Sequence, residues 1–141
     1  MDDAAAHRIA VVVDPAVPLG VLANALGVVA AGLGAAFPAL AGQALQDAAG
    51  RRFMASASLP LPVLQATPSA LLKLLDAAAA AEGLDALVVF PCFAREIHDF
   101  ATYRATLATR DLADEPLAAV GLAGRADVVK ALTRRHSLLR G

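Results

Sequence analysis

Asp14, Cys92, His98 and Tyr103 carry the side chains of this 141-residue chain that could share acid–base or covalent chemistry. A thiol would be the nucleophile, an imidazole its base, a carboxylate the group that orients the imidazole, and a phenol a proton donor. Spacing limits this scheme. Cys92 and His98 stand six positions apart, and on one helix that separation turns them to different faces, whereas a lone cysteine is more often a small buried hydrophobe. His98 also neighbours Glu96 and Asp99. Adjacent helical side chains diverge, so a charged surface helix is the plainer reading, and no metal site is expected. No cofactor is expected either.

Asp14 closes a strand-like run, Arg8 to Val13, and opens a turn, Asp14-Pro15-Ala16-Val17-Pro18-Leu19-Gly20, that leads into an apolar helix from Val21 to Gly34. In α/β proteins ligands sit where strand carboxyl ends meet helix amino ends. A ligand site is therefore expected at Asp14, Gly20 and Asn24, with Cys92, His98 and Tyr103 delivered to it by later elements. Asn24 is the one strongly polar side chain of that helix. Buried without a hydrogen bond, its amide would cost on the order of 1 to 3 kcal/mol. It is expected to bond to the Asp14 carboxylate, the turn backbone, Tyr103, His98 or a ligand.

No Asp, Glu, Lys or Arg occurs between Asp14 and Asp47. Leu22, Leu26, Val29 and Leu33 make one stripe at helical spacing and Val21, Ala25, Val28 and Gly32 a second, so the helix has no charged face. It needs cover on two sides. A sheet supplies one, and a second subunit is the expected other, making a homodimer. Lipid is disfavoured as the cover by the Ala and Gly content, by Asn24 and by the lack of flanking Lys or Arg.

The remaining elements follow in order. Gly34 and Pro38 stop the first helix. Ala39 to Leu45 and Arg52 to Ala57 read as a hairpin around Asp47-Ala48-Ala49-Gly50. Leu59-Pro60-Leu61-Pro62 is extended and leads into a strand, Val63 to Ala66. Thr67 caps a helix with Pro68 at its first position and Leu71, Leu72, Leu75, Ala78 and Ala79 on its apolar face, ended by Gly83. Leu84 to Phe90 is a continuous apolar run between stop signals and is expected at the centre of the sheet. Phe93 to Thr109 reads as helix, with Phe93, Ile97, Phe100, Tyr103 or Arg104, and Leu107 at core spacing, and Asp111 to Pro116 as an acidic loop. Leu117 to Leu122 is the last strand, turned by Gly124 into a helix from Ala126 to Arg135. Gly121 to Arg125 could hold an anion at that helix start, but without the dinucleotide fingerprint a tight turn is preferred. Alternating strands and helices over residues 1–141, with four main strands, make one α/β domain.

Composition excludes several classes. A formal net charge of −1 and a pI near 6.3 argue against a nucleic-acid wrapper or a protein spread on acidic lipid. Arg125, Lys130, Arg134, Arg135 and Arg140, opposed there by Asp127, read as helix-dipole partners and solvated surface rather than as an RNA contact. One cysteine allows neither an internal disulfide framework nor a multi-cysteine metal cage. The start, Met1-Asp2-Asp3-Ala4-Ala5-Ala6-His7-Arg8, lacks the basic and apolar regions of a signal peptide, so a cytoplasmic location is expected. Chains of this length bury roughly 70% of the surface exposed when unfolded, enough for one core.

The order of these pieces resembles the peptidyl-tRNA hydrolase II-like fold. It is closer still to an uncharacterised bacterial family with that fold, the domain of unknown function numbered two thousand. The resemblance rests on Val11-Val12-Val13-Asp14-Pro15, Leu19-Gly20, Ala23-Asn24-Ala25, Asp47-Ala48-Ala49-Gly50 and Val120-Gly121-Leu122-Ala123-Gly124. It implies a three-layer α/β/α sandwich with a mixed, mainly four-stranded sheet. It does not imply the hydrolase. Gly20 matches the glycine of the hydrolase signature Gly-Lys-x-Ala-Ala-Gln-x-x-His, but Val21, Ala25 and Val28 stand where the Lys, Gln and His belong, and the acidic position after the third strand falls near Pro91. Without base, amide and cation there is no means to move the proton or hold the oxyanion. The expected function is a non-hydrolase module that binds a small ligand or partner near Asp14 and Asn24. The alternative is an enzyme that assembles Asp14, Cys92, His98 and Tyr103.

Overall fold

The computed structural model describes residues 6–140. In chain order the elements are β1 His7–Val13, α1 Leu19–Ala36, a 3₁₀ turn Pro38–Leu40, β2 Ala44–Gln46, β3 Arg52–Met54, β4 Val63–Gln65, α2 Pro68–Ala80, β5 Leu84–Pro91, a 3₁₀ turn Cys92–Glu96, α3 Phe100–Leu107, a 3₁₀ turn Leu112–Asp114, β6 Leu117–Arg125, α4 Ala126–Thr133 and β7 Ser137–Leu138. Five strands form the main sheet in the order β5-β6-β1-β4-β7, and β2 and β3 form a separate hairpin. β1 and β4 are parallel, whereas β6 runs antiparallel to both β1 and β5 and β7 antiparallel to β4. The sheet is therefore mixed.

Strand alternation sends side chains to two cores. Ile9, Val11 and Val13 pack with Leu22, Ala25, Val29 and Leu33 of α1, while Val12, Val120 and Leu122 pack with Leu71, Leu74 and Ala78 of α2. α1 lies across β6, β5 and β1, and α2 and α4 share the opposite face. Helices on both faces explain why β1 and β6 read as unbroken apolar runs. Thr67 caps α2 as expected, its Oγ1 accepting the Ala70 N–H at 3.2 Å.

Three expectations are corrected. β5 is an edge strand, not a central one. Its apolar run reflects helices above and below rather than strands on both sides. The sheet has a fifth strand, β7, whose two residues leave no periodic trace in sequence. The expected helix from Phe93 to Thr109 is broken after Glu96, and α3 starts anew where Asp99 accepts the Ala101 and Thr102 N–H groups. No residue of α3 is fully buried, and Phe100 is exposed. Within one chain, α1 is covered on one face. Val21, Leu22, Ala25, Val29 and Leu33 are buried, Leu19 is 82% and Val28 44% exposed, and the strands of the β2–β3 hairpin are exposed as well. α1 is long and apolar enough to cross a membrane, with a mean hydropathy of 1.9, yet its inner stripe is packed on the sheet.

The glycines read as a turn at Gly121 to Gly124 lie inside β6, which continues to Arg125. They are there for packing. A Cβ on Gly121 would stand 2.5 Å from Val29 Cγ1 and 3.0 Å from Leu33 Cδ1, and one on Gly124 would meet the Gly83 carbonyl of the adjoining turn at 2.5 Å. Val29 and Leu33 are fully buried and have nowhere to retreat. Gly121→Ala is therefore expected to destabilise the domain by about 1 to 3 kcal/mol through overpacking. Urea unfolding checks this. A neutral result would mean that α1 can lift from the sheet at no cost.

Candidate functional site

β1 runs parallel to β4, and β5 shares their direction because β6 is antiparallel to both β1 and β5. The carboxyl ends of the three strands therefore share one edge of the sheet. Asp14, Gln65 to Thr67, and Pro91 with Cys92 lie along it.

Asp14 is held by its own turn. Its Oδ1 accepts the Ala16 N–H at 2.9 Å, its carbonyl accepts the Val17 N–H at 3.2 Å, and its N–H donates to the Ala118 carbonyl at 3.3 Å. Such an Asx turn is the local reason that the chain leaves β1 here. Oδ2 is free of this arrangement. Cys92 is half-buried against the α1-side core, and its N–H donates to the Pro116 carbonyl at 2.9 Å. Burial pushes its thiol above the ordinary value, and the nearby Asp14 carboxylate pushes it further the same way. The pair is thus brought together, but the carboxylate works against a thiolate.

The other four candidates are not assembled with them. His98 lies exposed in the coil before α3. The carboxylate of Asp99, its neighbour, accepts the Thr102 hydroxyl at 2.6 Å and the N–H groups of the α3 cap, contacts that hold its pKa below the ordinary carboxylate value. Tyr103 packs on Phe93 with ring centroids 6.0 Å apart, the Arg110 guanidinium covers the same ring at 4.3 Å, and burial raises the phenol. Gly20 is exposed. Asn24 is exposed as well, which corrects the expectation of a buried amide in need of a partner. The inner stripe passes through Val21, Leu22 and Ala25, and a residue one helical step from Ala25 is rotated about 100° out of it.

What the edge does hold is a cleft of 830 Å³ between the ends of β1 and β4, the start of α2 and the end of α4. Asp14, Gln65, Thr67, Lys73, Arg135 and Ser137 supply polar groups, and Leu74 and Leu132 part of its apolar lining. Lys73 and Arg135 were missed in sequence because each reads as an ordinary charge on the wet side of a helix. His136, at the end of α4, also lines the cleft, and burial lowers its tendency to take a proton.

Fold and edge together define an α/β/α domain with a polar cleft at the carboxyl ends of a parallel strand pair. The family model described as "Protein of unknown function (DUF2000)" matches residues 7–140, and the chain belongs to that family. A solved structure of a protein of unknown function from Agrobacterium tumefaciens, Atu0240, superposes with a TM-score of 0.87 at 16% identity, over 95% of this chain and 98% of that one. At that identity the likeness concerns the fold. No curated protein sequence matches the chain.

The Asp14–Cys92 arrangement has a measurable consequence. Because the carboxylate raises the thiol, Asp14→Asn lowers the Cys92 pKa, enlarges the thiolate fraction at neutral pH and speeds alkylation by iodoacetamide. Rates in wild type and variant between pH 7 and 9 test this. Slower or unchanged labelling in the variant would mean that the two groups do not interact.

Proposed function

We propose that this domain is a non-hydrolase binding module of the peptidyl-tRNA hydrolase II-like fold, and that it takes a small polar ligand in the 830 Å³ cleft at the ends of β1 and β4. The observation that carries the reading is the meeting there of opposite charges, Asp14 on one side and Lys73 and Arg135 on the other. The volume is within the roughly 300 to 1,000 Å³ usual for small-molecule sites. Such a lining suits a ligand with an anionic group for Lys73 and Arg135 and a donor for Asp14 Oδ2. The mixed sheet with helices on both faces supports the fold assignment, together with the resemblance of the β1–α1 junction. Hydrolysis has no support from α1, where Val21 and Ala25 are buried apolar side chains and Val28 an exposed one. The enzyme alternative would have to use Asp14 and Cys92, whose electrostatics disfavour a nucleophile. A single free thiol suits a reducing compartment such as the cytoplasm.

Two measurements decide this. In a turnover assay the purified protein leaves peptidyl-tRNA intact, and hydrolysis lost on Asp14→Asn would overturn the reading. In an NMR titration with a panel of zwitterionic metabolites, amide shifts cluster at Gln65 to Thr67 and vanish in Lys73→Ala. A panel that moves no amide of this edge would remove the site.

We propose further that two copies pair through the uncovered face of α1, where Leu19 and Val28 stand out among Ala23, Gly27 and Ala31. Small residues allow close helix approach, and a stable interface buries at least ~1,000 Å² in total. Light scattering is expected to give twice the 14.3 kDa chain mass, with Val28→Arg giving the monomer. A wild-type monomer at micromolar concentration would exclude the interface.

A further inference from the structure

A second cleft, of 910 Å³, opens between α4 and the extended Leu59–Pro62 segment, over the Arg8 end of β1. Among the described residues it shares only His136 with the first. One wall is cationic. Arg8 comes from β1, Lys130 from α4, and Arg134, four positions on, is the C-cap of that helix and still has helical dihedrals, which puts the two on one side of it. The other wall is apolar, made by Leu59, Pro60, Leu61, Pro62 and Leu64.

Two observations separate this lining from a solvated basic surface. No Asp or Glu lines the cleft among the described residues. In addition, the ion pairs among the described residues join His7 to Asp85, Arg51 to Asp47, Arg110 to Glu115 and Arg125 to Asp127. Arg8, Lys130 and Arg134 enter none of them, although Asp127 stands on the same helix and is held by Arg125 at 2.6 Å. Three formal positive charges on exposed side chains thus line a concave space that no carboxylate lines among the described residues, although His7 in the same lining pairs with Asp85 at 3.5 Å, in a chain whose net charge is −1. Concave, low-dielectric walls focus such a field on whatever enters.

We propose that this cleft binds a phosphate-bearing small molecule, its anionic group among Arg8, Lys130 and Arg134 and its apolar body along Leu59 to Leu64. Arginine suits the role because its guanidinium can meet phosphate oxygens with two parallel N–H donors, while lysine adds a mobile point charge. His136 can donate a further hydrogen bond from its place beside Arg134. A small molecule is favoured over RNA because the cationic wall is short, no Phe, Tyr or Trp among the described residues lines the cleft to stack a base, and the whole chain is not basic. The apolar wall distinguishes the ligand from inorganic phosphate.

The test is an NMR titration of the full chain with inorganic phosphate, pyrophosphate, phenyl phosphate and a short single-stranded RNA at two salt concentrations. Phenyl phosphate is expected to shift the amides of Arg8, Lys130 and Leu61 and to bind more tightly than inorganic phosphate, with affinity falling as salt rises. Lys130→Glu with Arg134→Glu weakens it by about tenfold or more, and Arg8→Gln, on the other element, weakens it in the same direction. Arg135→Glu, a change confined to the first cleft, leaves it unchanged, so failure here and failure of the Asp14 site are told apart. Circular dichroism confirms that each variant is folded. The proposal is overturned if phenyl phosphate moves none of these amides, if Arg135→Glu weakens it as much as the Lys130 and Arg134 changes do, or if the RNA binds in preference to it.

Discussion

The antiparallel pair of β1 and β6 is the contact on which the other parts of this domain depend. Its register runs from His7 opposite Arg125 to Val13 opposite Ala119, and both strands are sealed by helices on both faces. β6 contributes little side-chain volume, with Ala118, Ala119, Gly121, Ala123 and Gly124 along nine residues. Small residues let α1 settle close to the sheet, because the distance between a helix and a sheet is set by the side chains between them. Val29 and Leu33 fill the space that Gly121 leaves.

On the opposite face α4 is short, and that brevity creates the clefts. Its eight residues, Ala126–Thr133, lie over β1 and β6 and pack against α2, with Val129 and Thr133 buried. Ala131 and Leu132, with Arg135 just beyond, border the Asp14 cleft, while Ala126 and Lys130, with Arg134, border the other. The helix acts as a ridge between two concave surfaces. Positions four apart, such as Ala126 and Lys130, share one cleft, and the next residue round, such as Ala131, faces the other, because each step around the helix turns a side chain by about 100°. The basic character of the carboxyl end, read from sequence as dipole compensation, is divided by this geometry into separate environments.

α1 shows why an uncharged helix is ambiguous on sequence alone. Its two apolar stripes were legible, and the core face draws on both, Leu22, Val29 and Leu33 from one and Val21 and Ala25 from the other. The exposed side holds Ala23, Gly27 and Ala31 beside Leu19 and Val28, and small side chains cost little when exposed, so it can remain on the surface of one chain. Asn24 belongs to that surface. An isolated amide among apolar neighbours suggests burial only if the helix is enclosed, and enclosure is a property of the fold.

Local signals were enough for the elements whose causes are local. The Asp14 turn, the Thr67 cap with Pro68, the hairpin around Asp47 to Gly50 and the apolar runs of β1 and β6 follow from backbone limits, capping and two-residue periodicity, which act over a few positions. The layer arrangement was legible too, through the alternation of elements and the family resemblance. What the tertiary structure decided depends on partners distant in sequence. β5 became an edge because its apolar run records burial by helices, not neighbouring strands. Gly121 and Gly124 became packing positions because α1 and the Gly83 turn approach them from far along the chain. Arg8 and Lys130 share a cleft only because β1 and α4 cross, a convergence of charges that their separation of more than a hundred residues leaves no local pattern to announce.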